Sequence, residues 1–342
     1  MVTPVPDLTP VVSVIIPARN EEANLRPCLE SLVPQVGIAF EIIVADDGST
    51  DATRAIAESF PGVRVIEPGP LPAGWTGKNN AVTAGAREAK GKWLLFTDAD
   101  TVHKPGSLAA AVKEAEEYDV DLLSYSPEQE VHGFWERAVM PVIFAELARK
   151  YPLSGSGPSS NLAAANGQYL LISRGAYGKV GGHAAIAQSL LEDVALARAV
   201  RNADLRIRFR YGPDAVRARM YRGFAQLREG WTKNLILLFP EAVPLAVWRG
   251  LEFLFTIASL IVGLLVTLHG VTIYTFLYLI LPIVTYKRIA TAHFSWSLTL
   301  LGILGLPVFS YLLVRSKLRH ASGGVSWKGR IYSGKAGVTH VS

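Results

Sequence analysis

Cysteine is nearly absent from this 342-residue chain: Cys28 is the only one. No intrachain disulfide can form, and no Cys-rich zinc site can be built. Cys28 falls with Leu25, Leu29 and Leu32 at helical spacing, which marks it as a core residue. Charge is sparse, at 18% of residues, and one tract has none: no Asp, Glu, Lys or Arg lies between Phe253 and Tyr286. Acidic residues are also scarce toward the end, where Val243–Ser342 holds nine basic groups and one acid, Glu252. That stretch carries +8, while Met1–Ala242, with 25 basic against 28 acidic groups, carries −3. The overall +5 is therefore no nucleic-acid signal, since the larger part is mildly acidic and the basic residues flank apolar runs. No nucleic-acid partner is expected. At 50% hydrophobic the chain is too apolar for disorder. The opening MVTPVPDLTP lacks the charged start and apolar run of a signal peptide, so nothing there is expected to direct the N-terminal part across a membrane. Internal repeats and low-complexity tracts are absent as well.

From Val11 to about Ala242, short β-branched runs alternate with helical stretches. Strands are expected at Val12–Pro17, Glu41–Ala45, Val63–Ile66, Lys92–Thr97 and Asp121–Tyr125. Helices are expected at Glu21–Leu32, Asp51–Glu58, Lys78–Glu88 and Gly106–Glu117. This rhythm predicts an α/β domain with a doubly wound, mostly parallel, Rossmann-like sheet that binds ligands at its strand C-terminal ends. After Phe239 the character changes. A membrane span takes roughly 20 apolar residues, and three segments qualify as transmembrane helices, near 251–268, 271–286 and 294–314. The expected organisation is a tail at 1–10, the α/β domain at 11–231, an interfacial linker helix at 232–250, the three spans within 251–314, and a basic tail at 315–342. Lys287-Arg288 and Arg315, Lys317 and Arg319 look like positive-inside anchors. Three full crossings would put these two clusters on opposite sides, so one apolar segment is expected to be re-entrant or interfacial.

Four groups sit where such a sheet would gather them. Pro17-Ala18-Arg19-Asn20-Glu21 follows the first strand, and read alone it is also an ordinary helix start with an Asn cap. Asp46-Asp47-Gly48-Ser49-Thr50-Asp51 follows the second, with Ser49 or Thr50 available as a cap; two adjacent carboxylates exceed what capping needs. Leu94-Leu95-Phe96-Thr97-Asp98-Ala99-Asp100 delivers two carboxylates at a spacing of two, a pattern suited to a hard divalent cation, Mg²⁺ or Mn²⁺. Leu190-Leu191-Glu192-Asp193-Val194 places an acidic pair at the apolar face of a helix.

Together the segments VSVIIPARNEE, EIIVADDGSTDAT, LLFTDADT and LLEDVAL, in this order, resemble the family 2 glycosyltransferases, whose fold is the GT-A nucleotide-sugar fold. The resemblance covers roughly Val11–Trp231. It implies that Pro17, Arg19, Glu21 and Asp47 surround the nucleobase and ribose, with Asp46 nearby. Asp98 and Asp100 would be the DxD pair that holds diphosphate through a metal, Asp100 as the direct ligand, and Asp193 in the ED motif, beside Glu192, would be the general base. Pro70-Leu71-Pro72-Ala73-Gly74-Trp75-Thr76-Gly77-Lys78-Asn79 resembles a segment of membrane enzymes that glycosylate carotenoids and hopanoid-type lipids, with Lys78 suited to nucleotide phosphate. Val325-Ser326-Trp327-Lys328-Gly329-Arg330-Ile331-Tyr332 is similar to the tail of those enzymes and of ceramide glucosyltransferases. Asn166, Gly167 and Gln168, then Arg174 and Gly181-Gly182-His183, match the stretch where the family recognises its acceptor. Processive synthases carry Q-x-x-R-W, whereas this chain reads Gln226-Leu227-Arg228-Glu229-Gly230-Trp231. The missing Arg argues against polymer synthesis, and Trp231 is kept as an acceptor-side candidate.

The resemblance thus implies an inverting, metal-assisted transfer from a nucleotide-sugar donor, by default a UDP-sugar, to a lipid acceptor at a membrane, with the catalytic domain cytosolic. A polyprenyl-phosphate acceptor is an alternative, and a catalytically inactive nucleotide-sugar-binding membrane module is another. A nucleotidyltransferase would carry a Gly-rich loop where this chain reads PARNEE. Donor sugar, acceptor and oligomeric state are left open by the sequence.

Overall fold

A computed structural model of the chain describes residues 9–151, 164–269, 275–332 and 338–340. Its described residues divide into two compact units, one within 9–130 and 164–219, the other within 131–151, 220–269 and 275–332.

The first unit opens with β1 (Val12–Ala18), α1 (Leu25–Leu32), β2 (Phe40–Asp46), α2 (Thr53–Glu58) and β3 (Val63–Ile66). Then come α3 (Gly77–Glu88), β4 (Trp93–Phe96), β5 (Thr101–His103), α4 (Ser107–Glu117), β6 (Leu122–Ser126) and β7 (Glu128–Gln129). The helix α5 (Phe134–Lys150) belongs to the second unit; β8 (Leu170–Ser173), α6 (Arg174–Lys179), α7 (Glu192–Asn202), β9 (Ile207–Tyr211) and β10 (Val216–Ala218) return to the first. Seven strands form one sheet in the order β3-β2-β1-β4-β8-β6-β9, in which β8 alone runs antiparallel to its neighbours. A second, small sheet has the order β5-β10-β7, with β10 antiparallel to β5 and parallel to β7.

Alternation along β1 shows why the sheet is covered on both faces. Val12, Val14 and Ile16 pack with Leu25, Leu29 and Leu32 of α1, while Ile15 packs with Val82 and Ala86 of α3. Cys28 is buried in the first of these cores, and burial pushes its thiol up to about 12. Because β1, β2 and β4 run parallel, all three end at one edge, where Pro17, Asp46 and Asp98 emerge.

The expected strands and helices appear within a few residues of their predicted limits, with one instructive shift. α1 begins at Leu25, four residues later than predicted, and Asn20 does not cap it. Asn20 instead takes a left-handed conformation, φ 52°, and its side chain accepts the Thr50 amide at 2.9 Å. Neither Ser49 nor Thr50 caps α2: Ser49 bonds Asp46, and Asp51 accepts the Thr53 amide at 3.0 Å.

The second unit joins α5 to α8 (Phe224–Leu238), α9 (Ala242–Leu268), α10 (Thr275–Ala290), α11 (Trp296–Ala321) and the hairpin of β11 (Val325–Trp327) and β12 (Arg330–Tyr332). Helix α11 approaches α5 so closely that a Cβ on Gly305 would fall 2.0 Å from the Ala138 carbonyl oxygen, so only glycine fits. Among the described residues two helices are long and apolar enough to cross a membrane, α9 with mean hydropathy 2.3 and α11 with 2.0. The predicted middle span, 271–286, is described from residue 275 onward, within α10, which runs to Ala290. Arg288, expected with Lys287 as a positive-inside anchor, is paired inside the unit. Arg249 and Arg288 each bond both Glu146 and Glu252, with N···O distances of 2.6–3.0 Å. Desolvated arginines are tolerable there because each has two carboxylates.

Candidate active site

At the C-terminal edge of the first unit's sheet, two loops lock together. The Asp47 amide bonds the Ala18 carbonyl at 2.8 Å, and the Arg19 guanidinium donates to the Asp47 carbonyl at 2.5 Å. The Glu21 amide donates to Thr53 Oγ1 at 2.7 Å, and the Glu21 carboxylate accepts the Asn24 side-chain amide at 2.9 Å. Asp46, buried, accepts the Ser49 amide at 3.1 Å and its hydroxyl at 2.5 Å. Thus Arg19, Glu21, Asp46 and Asp47 form one rigid corner after β1 and β2.

A second group meets over β4 and α7. Lys78, in the first turn of α3, places Nζ 2.7 Å from Asp98 Oδ1 and 2.6 Å from Glu192 Oε1. Its own burial opposes its charge, but Asp98 and then Glu192 outweigh that and hold the ammonium well above the usual lysine range. Asp193 lies next in α7 and accepts two backbone amides, Gly167 N at 3.0 Å and Val194 N at 2.7 Å. Burial first, then the Glu192 charge, raises the Asp193 carboxyl to about 6, against the opposing pull of Lys78 and the two amides. Gly167 is the hinge of this packing: a Cβ there would sit 3.1 Å from Glu192 Oε1 and 3.3 Å from Lys78 Nζ. These groups line one cleft with Pro17, Phe96, Thr97 and His183.

Asp100 leaves the same β4–β5 turn, and its carboxylate accepts the Gln168 side-chain amide at 3.4 Å. Asn166 supports the loop from below: its amide donates to Ser124 Oγ at 2.8 Å and its Oδ1 accepts the Gln168 amide at 2.9 Å. Asp98 and Asp100 are the carboxylates that could hold a divalent cation. Among the described residues no group of three or more His, Cys, Asp or Glu side chains offers an all-protein cage. That donor set fits Mg²⁺ or Mn²⁺ at a phosphate site, where one or two carboxylates suffice and substrate oxygens complete the shell.

Two residues that local reading undervalued support the cleft. Asn79, beside Lys78, donates to the carbonyls of Ile186, Ala187 and Ser189 at 3.0–3.1 Å, pinning the segment that leads into Glu192 and Asp193. His183 is buried, stands edge-on to Phe96 at 4.6 Å and pairs Nδ1 with the Tyr177 hydroxyl at 3.0 Å. Burial lowers its pKa to about 4, so it is neutral at pH 7. The signal for Asn79 was its adjacency to Lys78, and for His183 the two glycines before it. Arg174, matched to the acceptor stretch, is a staple that donates to the Gly91 and Ala89 carbonyls at 2.8 Å. His103 is buried and bonded to Thr97 and Thr101, and burial depresses it to about 3. Trp231 belongs to the second unit, where it is buried and its indole N–H reaches Met140 Sδ at 3.4 Å.

The first unit is thus a doubly wound, mostly parallel sheet of GT-A type with paired carboxylates and a lysine at its C-terminal edge. Residues 13–179 match the family described as "Glycosyl transferase family 2". The matched stretch carries a family 2 glycosyltransferase domain, which makes the chain a glycosyltransferase. It is 28% identical over 333 residues to the 4,4'-diaponeurosporenoate glycosyltransferase of Staphylococcus aureus (strain MRSA252), covering 94% of this chain and 88% of that relative. Similar solved structures include S. aureus TarS 1-349 in complex with UDP-GlcNAc, with a TM-score of 0.46, 18% identity, and coverage of 68% of this chain and 66% of that one. Glucosyl-3-phosphoglycerate synthase from Mycobacterium tuberculosis, solved with Mn²⁺, UDP and glucosyl-3-phosphoglycerate, has a TM-score of 0.41 and 21% identity, covering 64% of this chain and 75% of that one.

Proposed function

We propose that the protein moves a sugar from a nucleoside-diphosphate sugar, by default a UDP-sugar, to a membrane lipid of carotenoid, hopanoid or other polyprenoid type, with inversion at the sugar C1. The observation that carries this reading is the Lys78 ammonium lying between Asp98 and Glu192, with Asp193 immediately beyond Gly167. The corner of Pro17, Arg19, Glu21, Asp46 and Asp47 receives the nucleoside, and Asp98 and Asp100 hold a divalent cation, Asp100 as the direct ligand. When bound, the cation neutralises negative charge that develops on the leaving diphosphate. Lys78 adds a second positive charge on the same side. The acceptor oxygen attacks C1 from the opposite face, and for an alcohol Asp193 takes its proton, an effect worth roughly 10²–10⁴-fold. Glu192 holds Lys78 in place, and Asn166 and Gly167 border the acceptor side. Trp231 enters only as a packing residue of the second unit, given its burial.

A lipid acceptor is supported by the apolar helices α9 and α11 and by the relative, whose name specifies a carotenoid-type carboxylate. The membrane is the cell membrane, with the catalytic unit on the cytosolic side where nucleotide sugars are made. A carboxylate or lipid-phosphate acceptor is already anionic and needs no base, so the acid-acceptor variant of this reading is kept beside the alcohol variant. The test is diphosphate release by purified protein from a panel of UDP- and GDP-sugars with Mn²⁺ or Mg²⁺ and membrane lipid. Release that disappears with EDTA and in Asp100→Asn supports the proposal. Silence across the panel would instead favour a binding module without turnover.

A further inference from the structure

The second unit holds its three apolar helices in unequal ways. α9 and α10 form an antiparallel pair joined by Thr256–Thr285 at 3.1 Å and by Ser259 Oγ to the Tyr278 carbonyl at 2.5 Å. Their outer faces are bare of protein: Leu254, Phe255, Ile261, Leu264, Phe276 and Ile280 are all exposed. At the base of the pair, Arg249 and Glu252 of α9 meet Arg288 of α10 and Glu146 of α5 in a charge-balanced, buried group. The start of α9 and the end of α10 therefore lie at one level. From Leu251 to Leu268 the helix rises about 27 Å, close to the roughly 30 Å of a hydrocarbon core.

Helix α11 packs on the charged helices α5 and α8 over much of its length, and it also lies against α9, where Gly250 faces Ser310. Just before its first turn, the Phe294 ring lies 6.2 Å from Phe144 of α5. Its middle packs on Ala138 through Gly305, and Phe309 lies 6.2 Å from Phe239 at the end of α8. Toward its end, Ser316 Oγ donates to the Thr232 carbonyl at 2.7 Å and accepts the Ile236 amide at 2.9 Å, and His320 contacts the Lys233 carbonyl at 3.0 Å. α5 carries Glu136, Arg137, Glu146, Arg149 and Lys150, and α8 carries Arg228, Glu229 and Lys233. Helices so charged do not lie in hydrocarbon. The most apolar window of α11 is 44% buried inside the protein, against 11% for α9.

Resting on the membrane reading above, we propose that α11 does not cross the bilayer: it lies in the interface beside α5 and α8, and the α9–α10 hairpin alone enters the lipid hydrocarbon. The apolar residues of α11 then serve two surfaces. Leu306, Phe309 and Leu313 pack on protein, while Trp296, Leu300 and Leu304 face the headgroup boundary. Lys287 and the Arg315–Arg319 cluster come to the same side, as the positive-inside rule requires.

Because Cys28 is buried and is the only cysteine, single-cysteine variants of the full chain read topology directly. Glu229→Cys, Ser295→Cys and Ser322→Cys sit at exposed positions on α8 and at the two ends of α11. A membrane-impermeant maleimide is applied to sealed vesicles of each orientation, with the unaltered chain as blank. All three are expected to label from one and the same face, at least tenfold over the other. Labelling of Ser295→Cys and Ser322→Cys from opposite faces overturns the proposal. Thr291→Cys and Arg319→Cys repeat the comparison where either variant is poorly produced. Complete release of the protein from vesicles by alkaline carbonate would refute the underlying membrane reading, a result distinct from opposite-face labelling.

Discussion

Replacing Asp193 by Asn separates what the carboxylate does for chemistry from what it does to the fold. Burial and the neighbouring Glu192 raise this group from the ordinary 3.8 to about 6. The folded chain therefore binds the proton more tightly than the unfolded chain. The resulting stabilisation is complete below the unfolded value and is lost as pH rises through 6. Above pH 7 the ionised carboxylate costs the fold up to about 3 kcal/mol. Asparagine removes that cost but can accept only one of the two amides now bonded by Asp193, a loss of about 1 kcal/mol. The net expectation is a gain of about 2 kcal/mol at pH 8, or roughly 4–8 °C in melting temperature for a domain of this size. At pH 4 the gain should vanish or reverse. Activity moves the other way: transfer to an alcohol should fall by roughly 10²–10⁴-fold, whereas transfer to a carboxylic or phosphoric acid acceptor should be nearly unchanged. Thermal unfolding in detergent across pH, with initial rates for both acceptor types, measures both arms. Equal loss with both acceptors would refute the division of roles, and an unaltered rate with an alcohol would refute the base assignment. A melting difference that does not depend on pH would refute the electrostatic reasoning.

Other substitutions probe the remaining geometry. Gly167→Ala puts a methyl 3.1 Å from Glu192 Oε1 and 3.3 Å from Lys78 Nζ. The ion pair must shift, and a strain of about 1–2 kcal/mol should appear as a fall of about 2–8 °C in melting temperature, together with a loss of transfer rate as Lys78 and Glu192 move. Gly305→Ala forces α5 and α11 apart at the Ala138 carbonyl; differential scanning fluorimetry in detergent should show about 1–3 kcal/mol of destabilisation. Glu146→Gln leaves Arg249 and Arg288 buried with Glu252 as their remaining shared carboxylate. It should cost about 3–5 kcal/mol, visible as a marked fall in the melting temperature of the detergent-solubilised protein.

Local pattern carried much of the first unit. β1 and β2 alternate faces, so their apolar periodicity was legible, and the carboxylates at their ends stood out because a strand end needs no such charge. The residues after β1 also make an ordinary cap, and only the partner Thr50, across another loop, separates that alternative from the role Asn20 has. Asn79 and His183 were undervalued for a related reason: their bonds run to Ala187 and Tyr177, which no spacing reveals. The largest gap was in the second unit. Glu146 and Arg288 are 142 positions apart and meet only once α5, α9 and α10 assemble. Hydropathy also gave α9 and α11 the same standing, since an apolar residue looks alike whether it faces lipid or another helix. Contact with the charged helices α5 and α8 separates the two.

The most direct test of the central claim is to follow both products of one reaction. Purified protein, a UDP-sugar, Mn²⁺ and extracted membrane lipid are combined, and released UDP is counted against newly glycosylated lipid while proton NMR reads the configuration at C1. UDP and lipid glycoside in equal amounts, with the anomeric configuration opposite to the donor's, is the predicted result. UDP released without any lipid glycoside, or a product that retains the donor configuration, would contradict the account.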